Sequence, residues 1–274
     1  MAVHLRPGYS GRMQTQSIPV GEQVRHWRQR RRLSQLDLAC EAEISTRHLS
    51  FIETGRATPS REMILHLAES LDVPLRQRNG LLLAAGFAPI FQERSLDDPA
   101  LRPAREAIEA LLSAHEPYPA LAIDRHWNLI AANRAIAPLM AGAAPELLKP
   151  PVNVLRLSLH PAGLAPRIVN LPEWRDHLLF RLRRQFTETA DPVLSDLLAE
   201  LAAYPHGGTK TRAHGLSAIA VLLRFRTDHS VLSLLSATMT FGTPLDPTLA
   251  ELALETFLPA DATTAEALRR LMAE

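Results

Sequence analysis

Through the first third of the chain, apolar residues recur at helical spacing, and the pattern predicts short amphipathic helices over 21–31, 34–41, 46–53, 60–71 and 74–86. Start and stop signals bound them. Ser34 with Asp37 three residues on reads as a capping box, Ser45 caps the third helix, Gly55 ends it, and Pro74 and Gly86 bracket the fifth. Within the third helix Leu49 and Ile52 face inward, which turns Thr46, Arg47, Ser50 and Phe51 outward. A tight turn joins it to the second helix, with small Ala39 where the two would cross. Residues 1–17 have no periodicity and are expected to form a flexible arm, ahead of an all-α domain over 18–92.

Periodicity breaks at ERSLDDPALRP (93–103), the expected linker to a second domain over 100–274. There the pattern predicts a helix over 100–114, a hairpin in ALAIDRHWNLIAA turning at Asp124 and Arg125, and a short helix after Asn133. Helices over 172–188 and 192–204 follow, then a loop at His206-Gly207-Gly208. Two strands follow over 217–225 and 231–241, then a last one near 249–257 and a terminal helix with a Thr263/Glu266 capping box. Alternation puts Ile219, Val221, Leu223 and Phe225 on one face of the first long strand, and Val231, Leu235, Ala237, Met239 and Phe241 on one face of the second. The fold class is therefore multidomain α and α+β, an all-α domain followed by an α+β domain whose antiparallel sheet is covered by helices. Alternation alone makes the apolar sheet face ordinary core.

Composition narrows the function classes. The chain has 274 residues, 46% hydrophobic and 22% charged, which fits one large or two modest globular domains. No apolar run approaches the roughly 18–20 residues of a membrane span. The first twenty residues lack the apolar core of a secretion signal, and Cys40 is the single cysteine, so a cytoplasmic protein without disulfides or thiolate clusters is expected. A net charge of +1 conceals an asymmetry. Residues 1–95 hold 13 Arg and no Lys against 9 acids, whereas residues 96–274 hold 17 basic against 20 acidic side chains. Five arginines fall within RHWRQRRR (25–32), the electrostatic footprint of phosphate binding, with Arg28 and Arg31 as candidate contacts. Nucleophile-elbow, Walker, zincin and dinucleotide motifs are absent, and His206, His214 and His229 fall in loops and turns, so no catalysis and no metal site are expected.

The run LSQLDLACEAEISTRHLSFIETGRATPSREMILHLAESLDVP resembles the phage-repressor (Cro/C1, or XRE) helix-turn-helix family, with Gln35, Ser45, Ile52-Glu53-x-Gly55 and Pro59-Ser60 at family positions. One position departs: Glu43 stands where the family's turn usually carries Gly. It would have to take a left-handed conformation at a cost of about 1 kcal/mol, or bend the turn differently. The resemblance implies that Gln35 anchors a phosphate, that Thr46, Arg47 and Ser50 read bases, and that Ser45 and Arg56 touch the backbone of double-stranded DNA. His48 either caps its own helix or meets a phosphate. One short recognition helix contacts few bases, so a homodimer is expected.

In the second part, ALAIDRHWNLIAAN resembles the first hairpin of a PAS-type sensor. Together, RHLSFIETGRATPSREM, LLLAAGFAP, LHPAGLAPRIVN and FGTPLDPTLAELALETFLPAD resemble the MmyB-like regulators, over roughly residues 20–274. That resemblance implies a transcription factor whose PAS-like domain holds a small apolar effector such as a bound fatty acid, with no further cofactor required. An acyl chain needs an apolar tunnel and a cation or donor for its carboxylate. Arg156, His160 and Arg167 around the HPAG turn, then Asn133, are the candidates for the head group, and Ala237 and Met239 for the lining. Trp127 and Trp174 are read as packing residues. The alternatives are a haem or flavin sensor, which would be coloured, and a protein-interaction domain without a cavity.

Overall fold

Cap chemistry fixes the N-terminal helices where the sequence marks them. The computed structural model describes residues 18–205, 221–242, 244 and 246–273. The proposed arm, the loop at His206-Gly207-Gly208, His214 and Ile219 lie outside these residues. The chain divides into two compact units, one running to Ile90 apart from Pro74–Arg76 and the other made of those three residues and the chain from Phe91 on. The first contains α1 (Val20–Arg30), α2 (Gln35–Glu41), α3 (Thr46–Glu53) and α4 (Arg61–Ser70), followed by α5 (Leu75–Ala84). Ser34 accepts from the Asp37 amide while Asp37 accepts from the Ser34 amide, closing the capping box. Ser45 and Ser60 cap α3 and α4 with their side-chain oxygens, which accept from the His48 and Met63 amides. Glu43 takes the left-handed conformation, at φ 48°. Val24, Leu38, Leu49, Ile52, Ile64 and Leu67 build the core beneath. Gly21 lets α1 and α3 touch, since a Cβ there would lie 2.1 Å from the Ile52 carbonyl oxygen.

In the second unit, α6 (Arg102–Ala114) precedes a five-stranded antiparallel sheet of order β2-β1-β5-β4-β3. Its strands are β1 (Ala120–Ile123), β2 (Leu129–Ala132), β3 (Leu222–Arg226), β4 (Val231–Thr240) and β5 (Ala253–Pro259). Between β2 and β3 run α7 (Ala137–Met140), α8 (Val154–Leu159), α9 (Leu171–Thr189) and α10 (Pro192–Ala203). A short α11 (Pro247–Ala250) precedes β5 and α12 (Ala262–Leu271) follows it. On one sheet face Ala120, Ala122 and Leu254 pack against Ile108 and Leu112 of α6. On the other, Leu121, Ile123, Phe225, Leu232 and Leu234 meet α8, α9, α10 and α12 in the main core. Residues 168–170 cover part of the free edge of β3: the Val169 amide donates to Arg224 O at 2.8 Å and Asn170 bonds both Leu222 and Arg224.

Four expectations are corrected. The inward face of β4 carries Leu232 and Leu234, both fully buried, because Phe225 pairs with Leu232 and Leu223 with Leu234. Ala237 and Met239 therefore lie on the outer face, Met239 41% exposed. The last strand begins at Ala253, its expected start being α11, nucleated by Asp246 and Pro247. Asp261, not Thr263, caps α12 by accepting from the Thr264 amide. Helix α8, capped by Asn153, was not anticipated.

Candidate functional site

Two surfaces carry chemistry. In the first unit, the start of α3 presents Ser45 and Arg47 to solvent, with Thr46, His48 and Ser50 partly exposed beside them, and Arg56 is exposed just past the far end of the helix. Ser45 spends its side-chain oxygen on the His48 amide at 3.1 Å, so it caps the helix whose orphan donors would otherwise need a partner. Arg47 lies over the Phe51 ring at 5.3 Å, an arrangement that holds a cation at the outer edge of α3. Neutral donors and one oriented guanidinium at a helix start are the groups that read base edges in a major groove.

Behind this surface is a polar network that periodicity does not show. Arg28 donates to both Glu53 carboxylate oxygens at 2.7 and 2.9 Å and to Leu33 O at 2.9 Å, and Gln35 Nε2 donates to Glu53 Oε2 at 2.7 Å. Arg28 and Glu53 are buried, joining α1 to α3 while Gln35 brings in α2. Burial works to raise the Glu53 pKa, but the hydrogen bonds from Arg28 and Gln35 outweigh it and hold the carboxyl below its ordinary value. Arg28 is thus a buried structural cation and not an exposed phosphate contact. Arg31 donates to Leu71 O and Asp72 O at 2.8 and 2.6 Å and lies over Trp27, tying α1 to the end of α4. Within the basic cluster, Arg25 and Arg32 are the exposed arginines.

In the second unit, α7, α8, α9 and the inner sheet face line a partly open cavity of about 100 Å³. This is somewhat smaller than the roughly 150 Å³ apolar void that admits benzene in an engineered core. Its wall is aliphatic and aromatic, with Leu121, Trp127, Trp174, Leu178, Phe225 and Phe257 prominent. Three polar side chains reach it: Ser158, Arg181 and Glu255. Arg181 lies over the Trp127 ring at 4.8 Å and donates to both Glu255 oxygens at 3.1 and 2.5 Å. Thr238 accepts from Arg181 at 2.9 Å and donates to Glu255 at 2.9 Å. Trp174 Nε1 donates to Ser158 Oγ at 3.1 Å, and His177, stacked on Trp174, has its pKa pushed down by burial first and then by Arg181.

None of the six residues expected at a ligand lines this cavity among the described residues. Asn133 is buried and accepts from the Ala120 amide while donating to Leu112 O and Tyr118 O, which locks the end of α6 to β1. Arg156 points outward into a bidentate pair with Glu200, which also accepts from Tyr204; burial and then Glu200 push the Tyr204 pKa up to about 12. His160 Nδ1 accepts from the Ala162 amide, closing the HPAG turn. Arg167 donates to Leu139 O, Ala141 O and Arg226 O, its guanidinium 4.4 Å from the Phe225 ring centre, which separates it from the cavity. Ala237 and Met239 face away on the outer sheet surface. Trp127 and Trp174, read as packing, form wall. Arg181 and Glu255 were missed, although each is a lone charge on an apolar stripe: Arg181 follows Trp174 and Leu178 at helical spacing, and Glu255 sits between Ala253 and Phe257 at strand spacing.

Among the described residues no cluster of three or more His, Cys, Asp or Glu side chains is placed to hold a metal, and no helix is long and apolar enough to cross a membrane. A family model described as helix-turn-helix domain matches residues 19–81, and one described as MmyB-like transcription regulator ligand binding domain matches residues 104–271. No curated protein matches the chain.

Proposed function

The chain belongs to the MmyB-like transcription regulator ligand binding domain family, and from that premise we propose that it is a sequence-specific DNA-binding regulator whose C-terminal domain senses a small apolar effector of acyl type. The observation that carries the reading is the apolar cavity of the second unit, in a chain whose N-terminal unit presents the start of α3 to solvent. A volume of about 100 Å³ takes only part of a long acyl chain, so binding one parts the walls around α7 and α8. Organic extraction of the purified protein followed by mass spectrometry tests this. An apolar small molecule supports the reading, and an extract without one, from protein whose melting temperature is raised neither by a fatty acid nor by the corresponding alcohol or ester, overturns it.

At the DNA, Thr46, Arg47 and Ser50 read bases, Ser45, His48 and Arg56 meet the backbone, and Gln35 positions α3 through Glu53. Replacing Arg47 by Ala is expected to weaken binding to the specific site by about 1–3 kcal/mol and to leave random DNA little changed. Equal losses on both DNAs in a salt titration would assign Arg47 to phosphate instead. The regulator acts as a cytoplasmic homodimer, without catalysis or a prosthetic group. It is modular, with domains over 18–92 and 100–274. A fragment ending near Asp98 and one beginning near Pro99 should each give a cooperative thermal transition, and two fragments that both melt without cooperativity would show that neither folds alone.

A further inference from the structure

We propose that the cavity selects an uncharged ligand, an apolar molecule ending in a neutral hydrogen-bond acceptor oxygen, and that Glu255 is the residue that excludes carboxylates. This rests on the cavity being the effector site and names the chemistry it accepts. The charges at the wall are already balanced. Arg181 is the one cation among the described lining residues, and its charge is matched by Glu255, to which both terminal nitrogens donate, one of them also donating to Thr238. The Glu255 side chain is 5% exposed and sits on β5, the strand between β1 and β4, so it does not swing away to release its partner. A ligand carboxylate reaching Arg181 would arrive beside that buried carboxylate, where the two like charges repel. Paying for its own dehydration with no unpaired cation, it is rejected.

Arg167 stacks on the Phe225 ring, is not among the lining residues and donates to three carbonyls. His177, kept toward its neutral form by burial, adds no compensating charge. What the wall does offer is Ser158. Its oxygen accepts from Trp174, and its hydroxyl proton has no acceptor among the described residues. A hydroxyl, ester or ketone oxygen satisfies that donor without bringing charge.

The experiment compares octanol with octanoate at neutral pH on the full-length protein, by calorimetric titration and thermal shift, in the parent and in Glu255→Gln. The parent is expected to bind octanol on the order of tenfold or more tighter than octanoate. In Glu255→Gln, where Arg181 loses its anionic partner, octanoate should gain by a similar factor while octanol changes little. A double variant, Arg181→Met with Glu255→Leu, should keep octanol and gain no octanoate, which holds the test open if the single variant does not fold. Octanoate binding the parent as tightly as octanol overturns the proposal, and loss of that binding in Arg167→Gln would place the anion at the cavity mouth. If neither compound binds the parent or Glu255→Gln, the cavity itself is not the effector site, and the failure lies with that earlier reading.

Discussion

Replacing Arg28 by Ala should destabilise the N-terminal unit by about 3–5 kcal/mol, the cost of leaving a buried carboxylate without its cation. The figure follows from burial: the Arg28 and Glu53 side chains are 10% and 2% exposed, and without Arg28 the carboxylate would keep the neutral Gln35 hydrogen bond but not its cation. Because the chain contains two compact units, the measurement should resolve the first alone, as hydrogen exchange of the α1, α2 and α3 amides does. A double variant, Arg28→Met with Glu53→Leu, should recover most of the loss, since an apolar pair of similar volume has no charge to dehydrate. The pH dependence has a definite sign. Glu53 is held below its ordinary value of 4.5, so its contribution is complete above that value and disappears as the pH falls through the lower, folded-state value. If Arg28→Ala weakened DNA binding while the exchange of α1–α3 stayed unchanged, the arginine would be a phosphate contact after all.

That correction shows where sequence reasoning stops. The cluster at 25–32 is legible as charge, but which arginine points inward depends on where Glu53 arrives from α3, twenty-five residues on. Capping is different, because donor and acceptor are three residues apart. Ser34, Asp37 and Ser45 therefore stand where their spacing put them, and Glu43 takes the left-handed one of the two arrangements open to its turn. In VLSLLSATMTFG both parities carry apolar residues, so alternation leaves the inward face undetermined and pairing with β3 and β5 decides it. At α12 two overlapping cap signals compete, and Asp261 prevails over Thr263.

The cavity was hidden for a related reason. The basic residues around the HPAG turn were attractive because they lie close together in sequence, yet the fold satisfies each of them locally, Arg156 with Glu200, His160 with Ala162 and Arg167 with three carbonyls. Arg181 and Glu255 are 74 residues apart and meet only because α9 lies across the inner face of β5. A single charge stranded on an apolar stripe is unremarkable, and two of opposite sign on separate stripes are a prediction of contact. Long apolar strands and helices say that a core exists; the unmatched charges say where that core is open to chemistry.

Phe225→Ala should lower the stability of the second unit by about 3–5 kcal/mol, as expected when a fully buried aromatic ring leaves a void the surroundings only partly fill. Here the void joins a cavity that already exists, so the wall has little to collapse onto and the cost should fall toward the upper end. Apolar space of this kind stays dry and takes up apolar ligands. At a given concentration octanol should consequently stabilise the variant more than the parent, reaching about 2.7 kcal/mol when it stands at a hundredfold excess over the variant's dissociation constant, and the melting temperature reads the difference. The same ring also screens Arg167, whose guanidinium lies 4.4 Å from its centre. Removing it brings an unscreened cation to the edge of the enlarged cavity, and octanoate should gain affinity in Phe225→Ala even with Glu255 intact. A variant that loses less than about 1 kcal/mol, or that responds to neither compound, would mean that Phe225 does not wall the site and that Arg167 is kept from it by something other than that ring.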